Sequence, residues 1–263
     1  MLLGKHVTVV MPAYNAERTL ERTYREIPHE VVDRIILVDD RSSDLTSALA
    51  RQMGTPEVIR HDRNTGYGGN QKTCYRRALE LGTDIVVMLH PDYQYSPKLL
   101  TSLAALVASG HYDLALASRI ISEGALKGGM PLYKYLSNRV LTLFQNLCLG
   151  LKLSEYHTGY RAYTAELLGA LAFEERSDGF IFDNELIVEA HLRGFRLGEI
   201  SCPARYFPEA SSISLWPSLR YGLGVVALSA EYLLHRLGLK SHRFLQRSGF
   251  QAPVAESKRA LGG

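Results

Sequence analysis

The sequence predicts an α/β fold: a doubly wound, mostly parallel sheet flanked by helices, with a C-terminal helical extension. Three observations carry that prediction. Two apolar runs, Ile35-Ile36-Leu37-Val38 and Ile85-Val86-Val87-Met88-Leu89, stop abruptly at Asp39-Asp40 and at His90-Pro91-Asp92. Strands buried on both faces of a parallel sheet have this pattern. Helix-forming stretches alternate with such runs through residue 118. From residue 133 onward, long helical patterns take over.

Taken in order, residues 6–11 read as the first strand and residues 16–26 as a helix with Asn15 as its N-cap. Strand two covers 35–38. Ser42, Ser43 and Asp44 are cap candidates for a helix through Met53. A short strand at 58–59 leads into Asn64-Thr65-Gly66-Tyr67-Gly68-Gly69-Asn70, a glycine-rich loop that opens a helix over 71–81. Strand four spans 85–89, followed by a helix at 97–109 and a strand at 114–118. Residues 133–151 form a long helix with leucines at 136, 143, 147 and 151. A polar turn at 155–161 precedes helices at 165–172 and 182–193 and a strand at 196–200. Residues 216–239 are apolar but broken by Arg220, Glu231, His235 and Arg236, and the tail from Gln246 has the composition of a disordered segment.

Composition narrows the function. A chain of 263 residues, 46% apolar and 22% charged, buries a sizeable core. A net charge of +3 is too mild for a nucleic-acid binder. Cys74, Cys148 and Cys202 are odd in number and scattered, which argues against a disulfide framework or a zinc site and fits a reducing cytosol. Lys5 and His6 interrupt the N-terminus before a signal peptide develops, and no run of eighteen apolar residues suggests a membrane span. The expected location is cytoplasmic, with peripheral contact at the inner face of the membrane open to the apolar helices.

Ligands of open α/β sheets bind beyond the carboxyl ends of the strands. Asp92, directly after strand four, is the leading ligand for Mg2+ or Mn2+, with Gln94 and His90 as companions. A turn cap is the plainer alternative for Asp92. Asp39 and Asp40 are placed to accept from a base or ribose. Tyr14, after Pro12, can cover a base, and Gly66 and Gly68 permit close backbone approach. Asp183, in an apolar helical stretch, is a candidate general base; an ion pair with Arg161 or Arg193 is the alternative. Arg161 and Glu185 are candidate acceptor contacts, with Arg161 equally suited to a core ion pair.

Together these segments resemble glycosyltransferase family 2, the inverting GT-A enzymes, and within it the dolichol- or polyprenyl-phosphate mannosyl- and glucosyltransferase branch. The resemblance rests on Val9-Val10-Met11-Pro12-Ala13-Tyr14-Asn15, on Val38-Asp39-Asp40-Arg41-Ser42-Ser43-Asp44-Leu45-Thr46, on the glycine-rich segment, on His157-Thr158-Gly159-Tyr160-Arg161-Ala162-Tyr163 and on Phe180-Ile181-Phe182-Asp183-Asn184-Glu185. It covers roughly residues 5–215. It implies a nucleotide-sugar half over 5–120 and an acceptor half over 121–215, within a 1–215 GT-A domain followed by a 216–245 extension and a 246–263 tail. It also implies that Pro12, Tyr14, Asn15, Asp39 and Asp40 bind the nucleotide of a UDP- or GDP-linked donor. Asp92 and Gln94 would hold the metal-diphosphate, and the acceptor would be a lipid phosphate or a glycan.

Two departures qualify it. The family's first metal-motif carboxylate is His90 here, and no cation occurs from Tyr206 to Leu219, where the branch carries an Arg and a Lys. The second departure gives weight to a sugar or other hydroxyl acceptor. A weakened nucleotide-sugar-binding scaffold is the non-catalytic alternative. A nucleotidyltransferase on a similar fold would need a glycine-rich basic loop after strand one, which is missing from 12–19.

Overall fold

The computed structural model describes residues 1–54, 57–122, 124–207 and 215–246. Its elements follow the order β1 (Val7–Ala13), α1 (Glu17–Arg25), β2 (Arg34–Asp39), α2 (Thr46–Gln52), β3 (Glu57–Arg60), α3 (Gly66–Glu80), β4 (Ile85–Met88), α4 (Leu100–Ala108) and β5 (Leu114–Ser118). Then come α5 (Gly124–Lys127), α6 (Leu132–Leu149), β6 (Arg161–Thr164), α7 (Ala165–Ala170), α8 (Phe182–Leu192), β7 (Leu197–Ser201), α9 (Leu215–Arg236) and α10 (Arg243–Gln246). Seven strands form one sheet in the order β3-β2-β1-β4-β6-β5-β7. Only β6 runs antiparallel to its neighbours, β4 and β5.

Alternation along the strands makes two cores. Val7, Val9, Met11, Ile35, Leu37 and Val87 pack on one face with Leu20 of α1 and Leu103 of α4. Val10, Ile36, Val38, Val86 and Met88 pack on the other with Tyr75 of α3, Leu167 of α7 and Leu186 of α8. Each buried aliphatic side chain contributes about 1.5–3 kcal/mol. Both faces are therefore covered, as the unbroken apolar runs require.

Three local readings are corrected. Asn15 does not cap α1; it adopts φ of 50°, and its Oδ1 accepts from the Ser43 backbone N–H at 2.9 Å. The α1 terminus is held from α2's side instead, by Thr46 Oγ1 accepting from Ala16 N–H and Asp44 Oδ2 from Glu17 N–H. The glycine-rich loop is itself the first turn of α3, which starts at Gly66 rather than at Gln71. Finally, the polar turn ending at Arg161 gives way to strand β6 (Arg161–Thr164), which pairs Arg161 with both Met88 and Leu116. The tail from residue 247 lies outside the described residues.

Candidate active site

The carboxyl ends of the adjacent parallel strands β2, β1 and β4 open on one side of the sheet. Asn15, Arg41 and Tyr93, just beyond these three ends, adopt φ of 50°, 65° and 57°. Left-handed backbone at non-glycine residues is uncommon and concentrates at ligand sites. Each strand thus turns sharply where a ligand would lie. Pro12 is buried at the end of β1, and Tyr14 is 56% exposed at the rim.

Asp39 and Asp40 stand at the end of β2 and are buried. Asp39 accepts from Ser42 N–H at 2.8 Å and from the Ser47 hydroxyl, and it is fully buried. Asp40 accepts from Thr65 N–H and its hydroxyl, both at 2.8 Å, and from Gly66 N–H at 3.0 Å. These carboxylates hold the loops at the strand end in shape. Gly66 and Gly68 are likewise used by the protein. A Cβ on Gly68 would lie 2.4 Å from the Ser177 carbonyl, and one on Gly66 would lie 2.8 Å from that of Asp178. Within the chain, these glycines make a close approach to the Ser177–Asp178 backbone.

Beyond β4, Asp92 accepts from Gln94 N–H at 3.0 Å and remains part-exposed, with Gln94 alongside. The turn cap therefore exists, and the carboxylate keeps acceptor capacity. His90 is directed elsewhere. Its Nε2 is 3.2 Å from the Tyr67 hydroxyl, the two rings stack with centroids 5.5 Å apart, and a Cβ on Gly159 would collide with it. Burial lowers its pKa, against the opposing pull of Asp92 and Asp183. His90 packs on Tyr67. Among the described residues no group of three His, Cys, Asp or Glu side chains converges on a cation position. A single carboxylate completed by a substrate's phosphates still suits Mg2+, and Asp92 fits that description.

Asp183 opens α8 in a buried network. Tyr67 donates to its Oδ2 at 2.7 Å, and Arg161 Nη1 lies 3.2 Å from Oδ1. Burial and the Asp183 charge raise the Tyr67 pKa, which keeps that phenol a donor. Arg161 is wholly buried and donates to the carbonyls of Thr158, Tyr156 and Asp183. Burial alone would lower its pKa, but the Asp183 charge beside it raises it. Arg161 and Asp183 thus form a buried ion pair. Glu185 Oε2 accepts from Ser177 N–H at 2.7 Å, and its Oε1 lies 3.6 Å from Arg243.

The sequence reading missed several residues of this region. Tyr67 was hidden inside a loop valued for its glycines. Arg119 follows the end of β5, where the rule applied to Asp39 and Asp92 would have found it. It pairs with fully buried Glu155 and donates to the Tyr206 hydroxyl and the His157 carbonyl. Gln145 of α6 donates to Asn184 Oδ1, and Asn184 donates to the Tyr221 hydroxyl of α9, which meets His157 Nδ1 at 2.7 Å. Burial pulls the His157 pKa down to about 4. No periodicity announces such a chain across three elements. The cation-free stretch 206–219 falls partly on 208–214, outside the described residues.

The model of the family described as Glycosyl transferase family 2 matches residues 8–171, more than half of the chain. An uncharacterised protein of Methanocaldococcus jannaschii is 31% identical over 200 residues, covering 76% of this chain and 82% of its own. A UDP-N-acetylglucosamine–dolichyl-phosphate N-acetylglucosaminyltransferase of Methanococcus voltae is 25% identical, covering 78% and 88%. The undecaprenyl-phosphate mannosyltransferase of Micrococcus luteus is 29% identical, covering 74% and 81%. Among solved structures, glucosyl-3-phosphoglycerate synthase from Mycobacterium tuberculosis with Mn2+ and uridine-diphosphate-glucose has a TM-score of 0.65 at 21% identity, covering 90% of this chain and 80% of that one. That likeness shows the shared GT-A fold. With the family segment over residues 8–171 and these relatives in agreement, the chain belongs to glycosyl transferase family 2 and is a glycosyltransferase.

Proposed function

We propose that the protein transfers a sugar from a nucleoside-diphosphate-sugar, UDP- or GDP-linked, to a polyprenyl phosphate, with inversion at the anomeric carbon. One observation carries the donor half of this reading: three neighbouring strand ends turn through left-handed residues beside part-exposed Asp92. Asp92, with Gln94 beside it, would hold a Mg2+ or Mn2+ together with the diphosphate; the ion supplies charge neutralisation for the leaving group. Tyr14 would cover the base, between loops that Asp39 and Asp40 keep in shape. Solved neighbours bound to Mn2+ and uridine diphosphate support this assignment.

The acceptor half rests on Asp183 and on the relatives. A hydroxyl acceptor needs a base, and Asp183 is engaged by Tyr67 and by Arg161. A phosphate acceptor is already ionised and needs none. Its oxygen attacks the anomeric carbon from the face opposite the diphosphate, forming the new glycosyl–oxygen bond as the sugar–diphosphate bond breaks. Relatives named for dolichyl- and undecaprenyl-phosphate acceptors favour the same choice.

A thermal-shift series with UDP, GDP and their sugar conjugates, with and without Mn2+, tests the donor site. The expected result is stabilisation by one nucleotide class that grows with Mn2+ and loses its metal dependence in Asp92→Ala. A flat response across the series would refute the donor assignment.

A further inference from the structure

Helix α6 is amphipathic in the wrong sense for a helix whose outer face meets water. Its inner face is polar: Asn138 donates to Glu155, Gln145 to Asn184 and Asn146 to the Leu153 carbonyl. Its outer face is apolar, with Leu132, Leu136, Val140, Leu143 and Leu147 between 54% and 68% exposed. These positions follow helical spacing and fall on one stripe. Helix α9 packs beside α6, with Leu141 lying 3.9 Å from a Cβ built on Gly222, and repeats the pattern. Trp216 is 81%, Leu219 56% and Leu223 63% exposed. Both helices reach Asn184 through inner-face residues, Gln145 and Tyr221. Their apolar stripes therefore turn away from the same buried point. An exposed apolar surface of this extent marks an interaction site.

Charge identifies the occupant. Residues 124–149 and 215–246 carry seven Lys or Arg and one Glu, a net +6, in a chain whose total is +3; the rest sums to −3. Lys127, Arg220, Arg236 and Lys240 are exposed around the stripes. A second copy meeting this face through a two-fold axis would set Lys127, Arg220, Arg236 and Lys240 against the same four cations. A bilayer containing anionic lipid offers the complement to both properties: an apolar interior for the leucines and Trp216, and negative headgroups for the basic rim. Among the described residues no helix is long and apolar enough to cross a membrane, so the pair would lie on the surface.

We propose that the outer faces of α6 and α9 dock this protein on an anionic lipid bilayer. Docked in this way, Asn184, the neighbour of Asp183, sits directly beneath the two membrane-facing helices. The inference stands apart from the donor chemistry, which soluble nucleotides test without lipid.

Flotation of the full chain with vesicles of phosphatidylcholine, with and without phosphatidylglycerol, tests it. The expected result is co-flotation with the phosphatidylglycerol vesicles, weakened by high salt. The double variant Leu143→Glu/Leu223→Glu should partition about a hundredfold less, from two lost leucine insertions, while keeping its thermal response to nucleotide. The charge variant Lys127→Glu/Arg220→Glu should lose selectivity for anionic vesicles. Wild-type protein left unbound by both vesicle types would overturn the proposal. So would a salt-insensitive dimer in light scattering that the leucine variant converts to monomer, since a second copy would then cover the face.

Discussion

At the scale of single residues, the centre of the molecule is an ion pair with a phenol on it. Arg161 and Asp183 come from β6 and α8, and Tyr67 arrives from the first turn of α3. Removing one partner of such a buried pair leaves an uncompensated charge and costs about 3–5 kcal/mol. Arg161→Met should therefore lower stability by about that amount in chemical denaturation. Adding Asp183→Asn to the same chain should restore much of it, because the orphaned carboxylate is gone. Simple additivity of the two substitutions would show that the pair is not coupled. Sequence reasoning found both residues as chemistry-bearing, because charges amid apolar neighbours need partners. It could not choose between base and ion pair, since Tyr67 stands 116 positions away from Asp183.

Elements show where local pattern suffices and where it does not. Strands β1, β2, β4 and β5 were legible because each is an apolar run closed by a polar break. β6 was not: four residues long with Arg161 at its start, it reads as a turn until the sheet on both sides is known to bury that arginine. The side on which α6 faces the core was equally hidden, since its leucine spacing fits a buried or an exposed stripe alike. The glycines of α3 were noticed for the close approach they permit, and the structure adds a backbone neighbour the sequence did not name. Gly68 lets α3 press against the Ser177–Asp178 backbone, with Gly68 N–H donating to the Asp178 carbonyl at 2.7 Å. Gly68→Ala should cost about 1–3 kcal/mol, as overpacking does, read as a lowered Tm. Gly169→Ala, exposed in α7 with nothing within 4 Å of its Cβ position, should gain about 0.5–1 kcal/mol. Equal effects at the two sites would contradict the packing account of Gly68.

On the scale of the whole molecule, the chain divides its labour. The parallel half of the sheet brings the ends of β1, β2 and β4 to one side, with Tyr14, Asp92 and three left-handed residues just beyond them. The start of α8 and the α6–α9 pair assemble a polar interior under an apolar, basic exterior. A transferase that takes a soluble nucleotide-sugar and a lipid-linked phosphate needs those two environments within reach of one reacting carbon. The measurement that tests this most directly is transfer of radiolabelled sugar from UDP- and GDP-linked donors to polyprenyl phosphate in vesicles containing anionic lipid, followed by organic extraction. The account predicts label in the organic phase from one donor class, greatly reduced in Asp92→Ala. Label that stays aqueous with every donor, under conditions where the nucleotide still stabilises the protein, would contradict it.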